Sequence, residues 1–318
     1  MILVTGATGF VGLAIVERFV LDQVAVRAVV RRAGFQIHTN AQSVQVSGLA
    51  PDTDWGSTLV GVDVVVHAAA RAHIMRDTAI DPLGEFRRVN VQGTLTLARQ
   101  AATARVRRFV FISSIGVNGA ETFQRPFTAH DQAAPHSPYA ASKYEAEVGL
   151  QELAAETGME VVIIRPPLVY GPNAPGNFGL LMRWLQRGIP LPLGAIQNQR
   201  SLVALGNLVD LISTCLTHPA AANQTFLVSD GEDVSTTELL QRMGQALGRP
   251  ALLLPVSASW LKLAATLVGK PDMAQRLCGS LQVDVFKTRQ LLGWSPAFTL
   301  QQGLTKAAAG HVKSSKTN

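Results

Sequence analysis

The octapeptide Thr5-Gly6-Ala7-Thr8-Gly9-Phe10-Val11-Gly12 follows the apolar run Met1-Ile2-Leu3-Val4 without a break, and an apolar-periodic stretch from Val11 to Val20 continues from it. Three glycines at this spacing say little alone, but between a strand and a helix each has a task. Gly6 turns the chain tightly, Gly9 lets a pyrophosphate approach the backbone, and Gly12 lets the helix lie close on the strand, with the free N–H groups of the first helical turn facing the anion. The reading is a strand–turn–helix unit that binds a dinucleotide. The next strand, VAVRAVV, ends in Arg31-Arg32. A site selective for NAD usually offers a carboxylate there for the ribose hydroxyls, and one selective for NADP a guanidinium for the 2′-phosphate. Arg31 and Arg32 therefore predict NADP(H), with NAD(H) possible if the two arginines only occupy the surface.

Outward from this unit, short β-branched runs alternate with amphipathic helical patterns. Residues 1–6, 24–30, 43–48, 63–69, 109–114 and 159–166 read as strands, and 86–103 and 139–157 as helices. The succession predicts an α/β fold, a Rossmann-type doubly wound parallel sheet with a smaller, mostly helical C-terminal substrate domain. After Arg165 the prolines 166, 167, 172, 175, 190 and 192 punctuate a loop-rich stretch around an amphipathic segment, 180–187. SLVAL and QTFLVSD, on either side of a helix over 208–216, are expected to return to the sheet. Residues 1–171 and 198–230 thus form the dinucleotide-binding domain, and 172–197 and 231–312 the substrate domain. Ser235-Thr236-Thr237-Glu238 is a capping box for a helix that Gly248 and Pro250 end, and Asp284 can cap a helix over 285–292. The final GHVKSSKTN is polar and basic, so 313–318 reads as a frayed tail.

Composition excludes several classes. The 318 residues carry 28 Lys and Arg against 22 Asp and Glu, scattered and without aromatic–basic alternation, which argues against nucleic acid and suits small anions that carry diphosphates. Cys215 and Cys278 form no CxxC pair and no His cluster has metal spacing, so no disulfide framework and no metal site are expected. Met1 leads straight into a strand, and the apolar stretch 251–269 is interrupted by Pro255 and Lys262. A cytoplasmic protein without a membrane span is the expectation.

Ser137-Pro138-Tyr139-Ala140-Ala141-Ser142-Lys143 opens as a helix should, with a hydroxyl cap and Pro in the first turn. Tyr139 and Lys143, four residues apart, share a face, so the ammonium can lower the phenol pKa and also hold a nicotinamide ribose. FVFISS ends in Ser113-Ser114 at the carboxyl edge of the sheet, where ligands sit in open α/β folds. Ser114 can there hydrogen-bond the oxygen whose proton Tyr139 exchanges while hydride moves.

With TGATGFVG, DVVVHAAA, VNVQGT around Asn90, FVFISS, YAASK, IIRPPLVYGP and DVFKTRQLLGWSP, the chain resembles the extended short-chain dehydrogenases/reductases, the NAD-dependent epimerase/dehydratase family, over nearly its whole length. The resemblance implies a catalytic Ser114, Tyr139 and Lys143. It implies cofactor contacts at Gly6, Gly9, Phe10, Val11, Gly12, Arg31, Arg32, Ala68, Ala69, Asn90, Tyr139, Lys143 and Pro166. Substrate contacts fall on Ser114, on Arg200 at the diphosphate, and on Asn177 and Arg276, although surface or packing roles suit these last three equally. The implied partners are a UDP-sugar and a second copy of the chain, through the helices 86–103 and 139–157. Ile115-Gly116 stands where dehydratases usually carry an Asp-Glu pair, and Asn118 where UDP-galactose 4-epimerases usually carry an aromatic residue. The implied reaction is NAD(P)H-dependent reduction of the C4 keto group of a UDP-4-keto-6-deoxy-N-acetylhexosamine in O-antigen or surface-polysaccharide synthesis, as in the UDP-N-acetylquinovosamine dehydrogenases. Its alternatives are a UDP-sugar 4-epimerase with tightly bound NAD and a non-catalytic NADP-sensing module.

Overall fold

The strands expected in the first half all form, and alternate residues along the central ones feed two different cores. The computed structural model describes residues 1–72, 81–267, 269 and 271–316. Its elements run β1 (Ile2–Thr5), α1 (Phe10–Leu21), β2 (Val26–Val30), β3 (Gln42–Gln45), α2 (Gly56–Leu59), β4 (Val64–His67), α3 (Pro82–Phe86), α4 (Thr94–Thr103), β5 (Arg108–Ile112), α5 (Pro138–Thr157), β6 (Glu160–Arg165) and β7 (Leu168–Tyr170). They continue with α6 (Gly176–Arg187), β8 (Arg200–Ala204), α7 (Leu205–Thr217), β9 (Thr225–Leu227), β10 (Asp233–Val234), α8 (Thr236–Ala246), α9 (Ala258–Leu267), α10 (Pro271–Cys278), α11 (Phe286–Leu292) and α12 (Leu300–Lys316).

The main sheet has seven parallel strands in the order β3-β2-β1-β4-β5-β6-β9. Val4, Val66, Val110 and Val162 face Ile15, Val16 and Phe19 of α1 and Leu208 and Ile212 of α7. Leu3, Val65, Phe109 and Val161 face Leu97 and Ala101 of α4 and Ala146 and Leu150 of α5. Burial on both faces is why these strands read as continuous apolar runs rather than as alternation. The strand order reverses between β1 and β4, and such a reversal opens a crevice at the carboxyl ends of the strands.

The late strands depart from expectation. SLVAL does not return to the main sheet: β8 pairs with β7 in parallel and with β10 antiparallel in a separate three-stranded sheet, and only β9 rejoins, beside β6. Pro166 and Pro167, without N–H groups to donate, end β6 and turn the chain away before β7. β8 serves both lobes, with Val203 in the α1–α7 core and Leu202 and Ala204 in the smaller lobe's core, which is built by α6, α8 and α12. At the junction Asp230 accepts from Ala204 N (2.8 Å), Asn207 Nδ2 (2.7 Å) and the Tyr170 hydroxyl (2.7 Å). Leu292 and Trp294, expected in the substrate domain, pack in the α1–α7 core, and the Trp294 indole donates to Asp210 at 3.0 Å.

Helix boundaries follow local chemistry. Ser137 caps α5 by accepting from Ala140 N (3.2 Å), and Ser235 caps α8 by accepting from Glu238 N (3.0 Å). Asp284 accepts from Phe286 N (2.7 Å), but the cap residue of α11 is Val285. The helix expected over 86–103 is interrupted by a π-helical stretch, Arg87–Gly93, between α3 and α4. Where a frayed tail was expected, α12 continues to Lys316, while Thr317 and Asn318 lie outside the described residues.

Candidate active site

Gly6 has φ +66°, and a Cβ there would lie 2.7 Å from Ala69 N and 2.8 Å from the Ala68 carbonyl carbon, so only glycine lets the turn after β1 meet the segment after β4. A Cβ on Gly12 would lie 2.1 Å from Gly6 O, and Gly9 N donates to the same oxygen at 2.8 Å. Gly9 caps α1 with no side chain over the end of the helix. In front of this turn is a cleft of about 600 Å³ lined by Thr5, Gly6, Gly9, Arg31, Ala68 and Ala69 among others. A closed glycine turn, an uncovered helix N-terminus and a cleft of this size fit a dinucleotide.

Other residues expected at the cofactor are placed differently. Arg31 lines the cleft but Arg32, also exposed, does not, because successive residues leaving a strand point to opposite sides. Phe10 packs against the smaller-lobe core and Val11 against the α1–α7 core. Gly12 acts through the close approach of α1 to the turn. Asn90, Tyr139, Lys143 and Pro166 lie outside this cleft's lining.

Asn90 is buried within the π-helical stretch, where its side chain accepts from Arg71 N (2.7 Å) and donates to Arg71 O (3.1 Å) and Ser142 Oγ (3.0 Å). It therefore clamps the segment after β4 to the first turns of α5. Ser114 is extended (φ −155°, ψ 145°), and its Oγ accepts from Gly116 N at 3.1 Å, which leaves the hydroxyl proton free to point at a ligand. A Cβ on Gly116 would meet Ser114 Oγ at 3.3 Å and Ala140 Cβ at 3.4 Å, so the serine and the start of α5 converge on this glycine. The Pro166 carbonyl accepts from Ile115 N (2.9 Å) and braces the loop from below. Tyr139 meets the edge of Phe86 at 6.2 Å, and Lys143 is buried with its Nζ 4.0 Å above the Phe111 ring.

On the smaller-lobe side, Arg200 opens β8 and its Nη1 donates to the carbonyls of Arg276 (2.8 Å) and Gly279 (3.0 Å), which joins two of the expected substrate residues. Asn177 is exposed in the first turn of α6, and no hydrogen bond among the described residues joins it to either arginine.

A family model for the NAD dependent epimerase/dehydratase family matches residues 2–229. The chain belongs to that family. Among the family's proteins, a UDP-glucose 4-epimerase of Vibrio cholerae is 48% identical over 315 residues, 98% of this chain and 95% of that one. An Escherichia coli O157:H7 protein, N-acetyl-alpha-D-glucosaminyl-diphospho-ditrans,octacis-undecaprenol 4-epimerase, is 27% identical over 96% of this chain and 93% of its own length. The fold also matches a UDP-glucuronic acid 4-epimerase of Bacillus cereus solved with NAD, with a TM-score of 0.80 at 19% identity over 100% of this chain and 98% of that chain.

In this family member the Tyr–Lys pair stands over a buried charge network that the sequence reading missed. Ser113 Oγ donates to Glu147 Oε1, and Arg165 binds the same carboxylate through Nε (3.0 and 3.2 Å) and Nη2 (2.5 Å). Arg165 Nη1 also donates to Asn118 Oδ1 (3.0 Å), and Asn118 Nδ2 to Thr128 O (2.8 Å), so Asn118 is turned into the protein. Glu147 continues the Tyr139–Lys143 spacing by one more turn of α5, and that repeat was the available signal.

Burial governs the ionisation of the pair. Desolvation pushes the Tyr139 phenol up to about 12, against the expectation that Lys143 lowers it. Desolvation also lowers Lys143 to about 7, partly opposed by the negative charge of Glu147. A lysine this poorly solvated is a weak cation at neutral pH, so the phenol is left as an acid that needs further positive charge before it can serve as a base.

His67, at the end of β4, is fully buried, bonded to Thr5 Oγ1 (2.7 Å) and Thr94 Oγ1 (2.9 Å), and lowered to about 3 by desolvation and then by Lys143. The folded protein keeps it neutral where the unfolded chain protonates it below 6.5. The penalty is absent above that pH and grows by about 1.4 kcal/mol per unit as pH falls toward 3. His67→Gln is expected to flatten the fall in thermal midpoint between pH 6 and 4. An unchanged acid limb in circular-dichroism melts would contradict this assignment.

Proposed function

We propose that the protein is a 4-epimerase of a UDP-hexose or UDP-N-acetylhexosamine that keeps NAD bound through the cycle. The observation that carries this reading is the 48% identity to the Vibrio 4-epimerase along 98% of the chain. The E. coli relative's name shares a hexosyl diphosphate with it, and Arg200 and Arg276 are the cations available for that group. Bound NAD supplies the acceptor and donor of the C4 hydride. Tyr139 takes the proton of the C4 hydroxyl as the sugar becomes a 4-ketone and returns it after the ketone has presented its other face. Ser114, oriented by Gly116 N–H, donates to the C4 oxygen, and Lys143 in its ammonium form favours the phenolate.

A second reading, reduction of a UDP-4-keto-6-deoxy-N-acetylhexosamine by NADPH, is favoured by one observation: Arg31, and no carboxylate from β2, lines the cleft. A single experiment separates the two. The purified protein is expected to carry NAD and to equilibrate UDP-glucose with UDP-galactose, or the N-acetyl pair, without net cofactor consumption. Stoichiometric loss of NADPH with the 4-keto sugar, and no epimerisation, would replace the epimerase by the reductase.

A further inference from the structure

Helix α9 is apolar on two sides. Its inner side is ordinary, since Ala258 and Leu261 pack on the smaller-lobe core and Ala265 is buried. On the outer side Trp260, Leu263, Ala264 and Leu267 recur at i, i+3, i+4 and i+7, all exposed, with Trp260 at 68%, Leu263 at 52% and Leu267 at 79%. The segment leading into the helix also exposes Leu252 and Leu254. A surface helix with only a core to satisfy carries one such stripe and polar residues opposite it. The sequence around the helix is also basic. From 249 to 276 the sequence places Arg249, Lys262, Lys270 and Arg276 against Asp272 alone, within a chain of net charge +6. Exposed Lys262 lies within α9 itself.

We propose that α9 docks this protein on the anionic surface of a phospholipid bilayer. Trp260, Leu263 and Leu267 enter the boundary between headgroups and acyl chains, and exposed Lys262 meets the phosphates. An indole beside leucines suits that boundary, and positive charge supplies the second attraction that so short a helix needs. No helix among the described residues is long and apolar enough to cross a membrane, so the contact is peripheral. A second copy of the chain is a poorer occupant. A two-fold contact sets the same basic stretch against itself, and a ten-residue helix falls short of the roughly 800 Å² per partner of a stable interface. Because α9 packs on α10, whose last turn carries Arg276, docking holds the substrate side of the molecule at the membrane.

The full chain is sedimented with vesicles of phosphatidylcholine alone and of phosphatidylcholine with phosphatidylglycerol, at low and high salt. The wild type is expected to bind the anionic vesicles at least about tenfold better than the neutral ones, with high salt erasing the difference. A Trp260→Ser, Leu263→Ser, Leu267→Ser variant is expected to lose binding about tenfold or more while keeping its melting temperature and its turnover of soluble substrate. Lys262→Glu, which leaves the stripe intact, is expected to weaken binding to anionic vesicles only. Equal binding by the triple variant, or no binding by the wild type, overturns the proposal. A wild-type dimer that the triple variant converts to monomer in sedimentation velocity also overturns it, and assigns the stripe to a second copy.

Discussion

Tyr139→Phe is expected to lower kcat by about a thousandfold or more and to leave the amount of bound cofactor unchanged. The substitution removes one oxygen and keeps the ring, so the edge contact with Phe86 survives and the start of α5, capped by Ser137, is undisturbed. The effect is large because neither Ser114 nor His67, two polar groups described at the site, is placed to take over. Ser114 is committed to Gly116 N–H and stays protonated, and His67 is locked between two threonines. With the phenol at about 12, the wild type holds its proton at neutral pH; in the proposed cycle it is ready as the acid of the second half-reaction, while the first half needs the cationic form of Lys143. The check is kcat for UDP-sugar interconversion, with the absorbance of the purified holoprotein as the control for binding. Turnover within tenfold of wild type would remove Tyr139 from the reaction.

How far the sequence could be read depended on whether the signal was local. The central parallel strands are legible because they are buried on both faces, so Val64–His67 and Arg108–Ile112 are short, mostly apolar blocks between turn residues. The glycine turn was legible because Gly6 and Gly12 are fixed by contacts within one strand–turn–helix unit. SLVAL is equally strand-like but pairs in the smaller sheet rather than the main one. Its pairing with Leu168–Tyr170 and Asp233–Val234 is decided by distant parts of the chain, and nothing in five apolar residues names the partner. The π-helical stretch was hidden because its consequence, Asn90 bonded at once to Arg71 and Ser142, is a tertiary contact. The outer stripe of α9 reads in the sequence only as an apolar run, since periodicity does not say which of two apolar faces the core takes.

Glu147→Gln is expected to cost about 3–5 kcal/mol of stability, because it leaves the Arg165 guanidinium buried without a counter-charge. It is also expected to act on catalysis through Lys143. Among the described residues, the groups set toward this lysine are Glu147 on its own helix, Phe111 of β5, neutral His67 of β4 and Tyr139. Arg165 of β6 and Lys287 of α11 add positive charge behind the carboxylate. Glu147 is the group that opposes desolvation, so its loss moves Lys143 further below about 7, and activity that needs the ammonium falls off at lower pH than in the wild type. The sign for stability is separate. A lysine lowered from 10.5 costs stability in full below its folded pKa, and the cost vanishes as pH rises past 10.5, so the variant's added penalty appears as pH falls below about 7. Replacing both partners, Glu147→Gln with Arg165→Met, is expected to recover most of the stability, since no charge is then left unpaired, but not the pH limb. Denaturant midpoints and a pH profile of kcat on the three proteins decide the matter. Lost stability with an unmoved pH limb would make Glu147 a structural residue, whereas a limb that shifts in both variants, with stability restored only in the double, assigns it to positioning and charging Lys143.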